Sequence, residues 1–200
     1  MNLTDSDSTI DELVKEIRKI KGVENVQALH PVTEGLVADY IFTRLLLAGD
    51  RAIILRRPGY AGLITGIREQ FGTAGETFLY YTGYESGIKY GKAHQEIAAQ
   101  LGIKDPIDIM QKISIPLCTC MGLGKPEIIE ATVNPPRVIV RLYDSFECEL
   151  GPLAKRPFSN FFRGILAGLV AHLFSRKMDA KELKCIAKGD PHCEFKITPE

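Results

Sequence analysis

The stretch that most constrains this chain lies near its end, from Lys181 to Thr198, where it reads KELKCIAKGDPHCEFKIT. Cys193, Phe195 and Ile197 alternate with His192, Glu194 and Lys196, the period of a strand with one apolar face. Upstream, Leu183, Cys185 and Ala187 alternate with Lys184 and Lys188, and Ile186 interrupts the polar side. Between the two runs, Lys188-Gly189-Asp190-Pro191 has turn chemistry: Gly takes positive φ and Pro cannot donate to a ladder. A hairpin bent near Gly189 sets Cys185 and Cys193 nearly opposite each other on one apolar face.

Two facing thiols can be plain core residues, a disulfide, or half of a metal site. Glu182 bears on the third use. It points to the opposite face of a continuous strand, but along a last helical turn or a corner it converges on Cys185. Glu182, Cys185 and Cys193 then offer one carboxylate and two thiolates, a partial set for tetrahedral zinc that wants a fourth ligand.

The run E-L-K-C-I-A-K-G-D-P-H-C-E-F resembles the C-terminal signature of the 4-vinyl reductase domain, a family related in fold to TRAPP vesicle-tethering subunits and to the sensor domains of phenol- and xylene-responsive activators. The likeness extends back through Ser145-Phe146-Glu147-Cys148, Phe161 to Gly168, and Tyr80 to Gly91, and covers residues 35 to 198. It implies that Glu182, Cys185 and Cys193 bind zinc with one more cysteine, at the start of the Phe-Phe-Arg-Gly helix. Ser159 holds that position here, and Cys148 is the candidate replacement, provided its strand end approaches the hairpin.

The rest of the chain fits an α+β domain: a small antiparallel sheet of about four strands packed by several helices, with the cysteine-bearing β-hairpin last. We divide it into residues 1–34, an N-terminal helix and connector, and residues 35–200, the ligand-binding domain. Thr9 and Glu12 form a capping box ahead of Ile10, Leu13, Ile17 and Ile20, and Gly22 ends that helix. His30 and Gly35 sit on the connector, and Val37 to Leu47 suits a strand or a buried helix. Arg51 to Arg57 reads as a short buried strand. Tyr60 to Phe71 and Glu76 to Leu101 read as helices, the second with Gly83, Gly87 and Gly91 on one stripe, which implies a close neighbour. A helix from Asp105 or Pro106 breaks near Pro116. Two strands, 127–133 and 138–143, precede a helix from Ser159 to Arg176 with Ser159 as N-cap and a small face at Gly164 and Gly168. His172 reads as a hydrogen-bonded core histidine, and Cys118 and Cys120 as core cysteines.

Charge and motifs narrow the function. Lys plus Arg equals Asp plus Glu at 25 each, so no basic excess recruits nucleic acid. Five cysteines behind an acidic N-terminus fit reduced thiols in a cytoplasm. No apolar run is long enough for a membrane span. The chain holds no dinucleotide fingerprint, phosphate loop or nucleophile elbow, which favours a binding module over an enzyme. The leading expectation is a cytoplasmic domain that binds or senses a small apolar or aromatic molecule between glycine-rich helices, with Tyr80, Tyr81, Tyr84, Phe161 and Phe162 as ligand-binding residues. Zinc at Cys148, Glu182, Cys185 and Cys193 would brace it, and the glycine stripes with the habit of the relatives point to a homodimer. The alternatives are an accessory or reductase subunit of tetrapyrrole metabolism and an assembly scaffold.

Overall fold

The computed structural model describes residues 8–29, 31–34, 36–39, 44–151 and 153–200. The polar stretch 1–7, His30, Gly35 and residues 40–43 of the ambiguous run lie outside them. The chain forms two compact units, Met1–Ile53 and Ile54–Glu200.

In the first unit, α1 (Ile10–Arg18) begins at the expected capping box: the Thr9 N–H donates to Glu12 Oε2 at 2.8 Å and the Glu12 N–H donates to Thr9 Oγ1 at 3.3 Å. Gly22 follows at φ 95°. A hairpin joins β1 (Leu45–Leu47) to β2 (Asp50–Ala52) through Ala48 and Gly49, both at positive φ, the turn that matches the twist of two strands. The expected buried strand to Arg57 ends at Ala52 instead, and Ile53 and Ile54 are about four-fifths exposed. Past Ala52 the ladder of described residues offers no further partner, and a strand without one has nothing to hold it extended.

The second unit starts with α2 (Arg57–Gln100), which carries Pro58 in its first turn and a break at Gly72 (φ 55°, ψ −128°), so it is two helical segments meeting where the sequence placed a stop. Next come α3 (Pro106–Ile109), capped by the Asp105 carboxylate, a π-turn over Met110–Ser114, and α4 (Ile115–Cys120). The expected break at Pro116 is a local widening: Pro116 sits in the first turn of α4, behind a π-turn that tolerates its missing donor.

The sheet holds β3 (Lys125–Val133), β4 (Pro136–Tyr143), β5 (Met178–Lys184) and β6 (Cys193–Pro199) in the order β3-β4-β6-β5, with every pair antiparallel. Its inner face pairs Val138 with Ile197, Val140 with Phe195 and Leu142 with Cys193, all fully buried. Against this face lies α5 (Asn160–Leu173), buried along most of its length and therefore apolar nearly all round. On its other side the two glycine stripes interlock. A Cβ on Gly83 or Gly87 would collide with the carbonyl oxygen of Phe161 or Ile165, and one on Gly164 or Gly168 with that of Tyr80 or Tyr84. Both stripes are thus spent within the chain, where they bring two backbones into contact.

Candidate metal centre and interior cavity

The thiol cluster is assembled by a fault in a strand ladder. Along β5, Met178, Ala180 and Glu182 face inward while Leu183 is 46% exposed, the reverse of the apolar face expected for this run. The register then slips, from Glu182 opposite Phe195 to Lys184 opposite Glu194. This bulge, rather than a helical turn, lets Glu182 and Cys185 both point inward. A short 3₁₀ turn (Ile186–Lys188) and Gly189 at φ 97° then reverse the chain, and the Asp190 carboxylate accepts the Cys185 N–H at 2.8 Å. Cys193 opens β6. Cys148 heads a 3₁₀ turn after β4, its N–H donating to Ser145 Oγ at 3.3 Å. Its sulfur lies 3.5 Å from that of Cys185 and 3.3 Å from that of Cys193. One donor atom from each of Cys148, Glu182, Cys185 and Cys193 lies within 4.8 Å of the others, and all four residues are buried. Cys148 therefore does reach the hairpin.

The chemistry of this set suits a cation. Thiols of Cys185 and Cys193 directed at the Cys148 sulfur pull its pKa down to about 2 and push Cys185 up to about 12 and Cys193 upward, so a thiolate is favoured at Cys148. The Phe158 and Ile186 N–H groups, each 3.4 Å from a sulfur, add positive dipoles. Burial raises the Glu182 carboxyl. Its Oε2 accepts the Ser159 N–H at 3.1 Å, whereas its Oε1 is buried with no protein partner. Zinc–sulfur bonds near 2.3 Å give a tetrahedral edge of about 3.8 Å, so the observed separations need only a small expansion. Three thiolates and one carboxylate would close a four-ligand site.

Ser159 is fully buried and does not cap α5; its Oγ lies 3.1 Å from the Cys148 sulfur. The cap is Glu147, which sequence reasoning passed over. Its carboxylate accepts the N–H of Phe161 at 3.1 Å and of Phe162 at 2.9 Å. Burial pushes this carboxyl up to about 7 against those two donors and the Arg68 guanidinium at 3.3 Å. Arg68 also bonds Glu76, the Phe158 carbonyl and Asn160, and it stacks on the Phe158 ring. No local spacing announces either residue, because their partners come from distant parts of the chain.

A cavity of about 30 Å³ lies between α5, the sheet and the π-turn segment. Tyr90, Met110, Cys118, Phe162 and Leu166 contribute to a lining that is apolar apart from His94 and Ser114. His94 Nδ1 and Ser114 Oγ are 2.9 Å apart, and burial pushes the imidazole down to about 4, so the ring is neutral at pH 7. His94, not His172, is the core histidine; His172 is partly exposed and pairs with Gln95. His94 and Ala98 continue the inner stripe of Gly83, Gly87 and Gly91, a signal the sequence did carry. Of the five expected ligand-binding residues, only Phe162 lines this cavity. Tyr80 and Tyr81 line an outward groove of about 440 Å³, and Tyr84 and Phe161 are half-buried beside α2 and α5. Cys118 sits on the cavity wall, its thiol raised to about 12 by burial, and Cys120 is exposed.

The resemblance read from the C-terminal motif is borne out: residues 138–199 match the family model of the 4-vinyl reductase domain. Two uncharacterized proteins of Methanocaldococcus jannaschii are similar, at 31% identity over 75 residues and 34% over 68 residues. These matches cover 38% and 34% of this chain but 44% and 39% of the relatives, so the chain spans less than half the length of the curated proteins it matches. Among solved structures, the phenol-responsive sensory domain of the transcription activator PoxR, with phenol, is similar at TM-score 0.69 and 18% identity, over 77% of this chain and 79% of that one. A vinyl-4-reductase family protein of Methanocaldococcus jannaschii follows at 0.52 and 21%, over 74% and 84%. A trafficking protein particle complex subunit 3 from Naegleria fowleri, covalently bound to palmitic acid, reaches 0.51 and 16%, over 72% and 92%. At these identities the likeness is one of fold.

Proposed function

We propose, for a chain that carries a 4-vinyl reductase domain on the fold of a phenol-sensing domain, that residues 54–200 bind a small apolar or aromatic molecule and serve as a sensor. The observation that carries this reading is the interior cavity, apolar but for one buried polar pair. With Nδ1 engaged by Ser114, the neutral His94 ring has Nε2 left for the hydroxyl of a guest. A volume of about 30 Å³ admits a water-sized guest, whereas aromatic rings occupy cavities nearer 150 Å³, so binding must displace part of the wall. The π-turn at Met110–Ser114 supplies the yielding part.

The metal of this reading is zinc, held by Cys148, Glu182, Cys185 and Cys193. Its contribution is structural: it ties the end of the sheet to the start of α5, whose Phe162 lines the cavity. A sensor of this kind acts in the cytoplasm as a homodimer. Its second copy meets a surface other than the glycine stripes, which face each other inside the chain.

Calorimetric titration with phenol tests the reading. Binding is expected, and His94→Leu should weaken it about tenfold, the worth of one hydrogen bond to a buried partner. No heat with phenol or other small aromatics, together with no co-purified molecule in native mass spectra, would remove the sensor reading.

A further inference from the structure

The outward groove differs in chemistry from the interior cavity and calls for a different ligand. Its wall is polar, and its hydrogen-bonding capacity is unequally spent. Glu76 accepts from both Arg68 at 3.2 Å and Arg156 at 2.8 Å, and Asp179 accepts the Tyr80 hydroxyl at 2.6 Å. Both carboxylates are therefore matched. The donors are not. Arg163 lies over the Tyr80 ring at 4.6 Å and donates to the Ala180 carbonyl at 3.3 Å, and among the described residues it forms no ion pair. Asn160 has its amide oxygen taken by Arg68 at 2.8 Å, which leaves its N–H donors. The exposed Arg156 retains N–H groups beyond the one on Glu76.

We infer that this groove binds a small organic acid through its carboxylate. A planar guanidinium fork matches two carboxylate oxygens, and the two arginines with Asn160 supply donors without competing acceptors. Tyr81, 63% exposed on the groove wall, offers a ring face for the acid's apolar body. At about 440 Å³ the space suits a molecule of that size. This site is separate from the cavity of the sensor reading and stands without it.

Amide-resolved NMR titration of the full chain with benzoate is the test, with phenol as the neutral control. Benzoate should shift Thr73, Thr77 and Arg163, less so at higher ionic strength, where exposed charges are screened. Arg163→Gln and the surface change Arg156→Gln should each weaken binding about tenfold, and Arg163→Lys should weaken it less. Unchanged melting midpoints certify that the variants are folded, and the exposed position of Arg156 keeps the test open if Arg163→Gln unfolds. Benzoate shifts that are absent, confined to Tyr90, His94 and Met110, or indifferent to both substitutions overturn the inference. So does displacement of benzoate by equimolar inorganic phosphate, which would make the groove a general anion site.

Discussion

Cys148 and Cys185 are 37 positions apart, yet their sulfurs lie 3.5 Å from one another. Removing one thiolate from a four-ligand set opens it. Changes to groups that merely orient ligands already cost 10–100-fold in affinity, so Cys148→Ser should weaken zinc binding by more than about 100-fold in a chelator competition. Ser159 Oγ is 3.1 Å from the Cys148 sulfur and 3.9 Å from that of Cys193, so Ser159→Cys in the Cys148→Ser background should recover much of the loss. Equal zinc retention by wild type and Cys148→Ser would take Cys148 out of the ligand set. His94 makes a second prediction at this scale. Its folded pKa of about 4 lies below the ordinary 6.5, so the unfolded chain binds the proton more readily. Stability is whole above pH 6.5 and drains as pH falls toward 4, by up to about 3 kcal/mol. Urea melts across that window should show a shallower slope for His94→Gln, and parallel slopes would mean that other groups carry the pH dependence.

The pairing of α2 with α5 is a contact between backbones, which makes glycine substitutions there unlike those elsewhere. Gly168→Ala would drive a methyl into the Tyr84 carbonyl and Gly87→Ala into that of Ile165, in a helix pair with no room to part. Each should cost about 3 kcal/mol or more, at the upper end of overpacking. Gly66 lies in the first segment of α2 with nothing within 4 Å of an added Cβ, so Gly66→Ala should stabilise by about 0.5–1 kcal/mol. Thermal melts of the three variants give the comparison. A neutral Gly168→Ala would mean that the helices are not held this closely. At the start of α5, Glu147 does the work expected of Ser159, which leaves the serine hydroxyl beside the cysteines.

Every fully buried apolar side chain among the described residues falls between Ile64 and Ile197. Residues 54–200 therefore contain the core as well as the candidate metal centre, and a chain lacking residues 1–53 should melt cooperatively, with a midpoint shifted by less than about 2 °C. A molten or insoluble product would assign residues 1–53 a share of the core. Zinc binding to the folded state alone should stabilise the whole unit, by about 2.7 kcal/mol at 100 times the dissociation constant. Chelator should reverse that gain in the intact chain and leave Cys193→Ser unaffected.

Local order was legible in the sequence wherever it rests on contacts within a turn or two. Alternation placed Cys193, Phe195 and Ile197 on one buried face, the capping box started α1, and four-residue glycine spacing announced a close helix neighbour. The grouping of Glu182, Cys185 and Cys193 was legible for the same reason, since one hairpin carries all three. Tertiary structure decided the rest. A bulge that no residue type announces turned Glu182 inward and Leu183 outward. Packing of α5 between sheet and α2 brought Cys148 to the hairpin, gave the cap to Glu147, set Phe162 on the cavity wall and left Tyr80 and Tyr81 on the outer groove. Spacing fixes which residues share a face of their own element; which face meets which depends on where every other element packs.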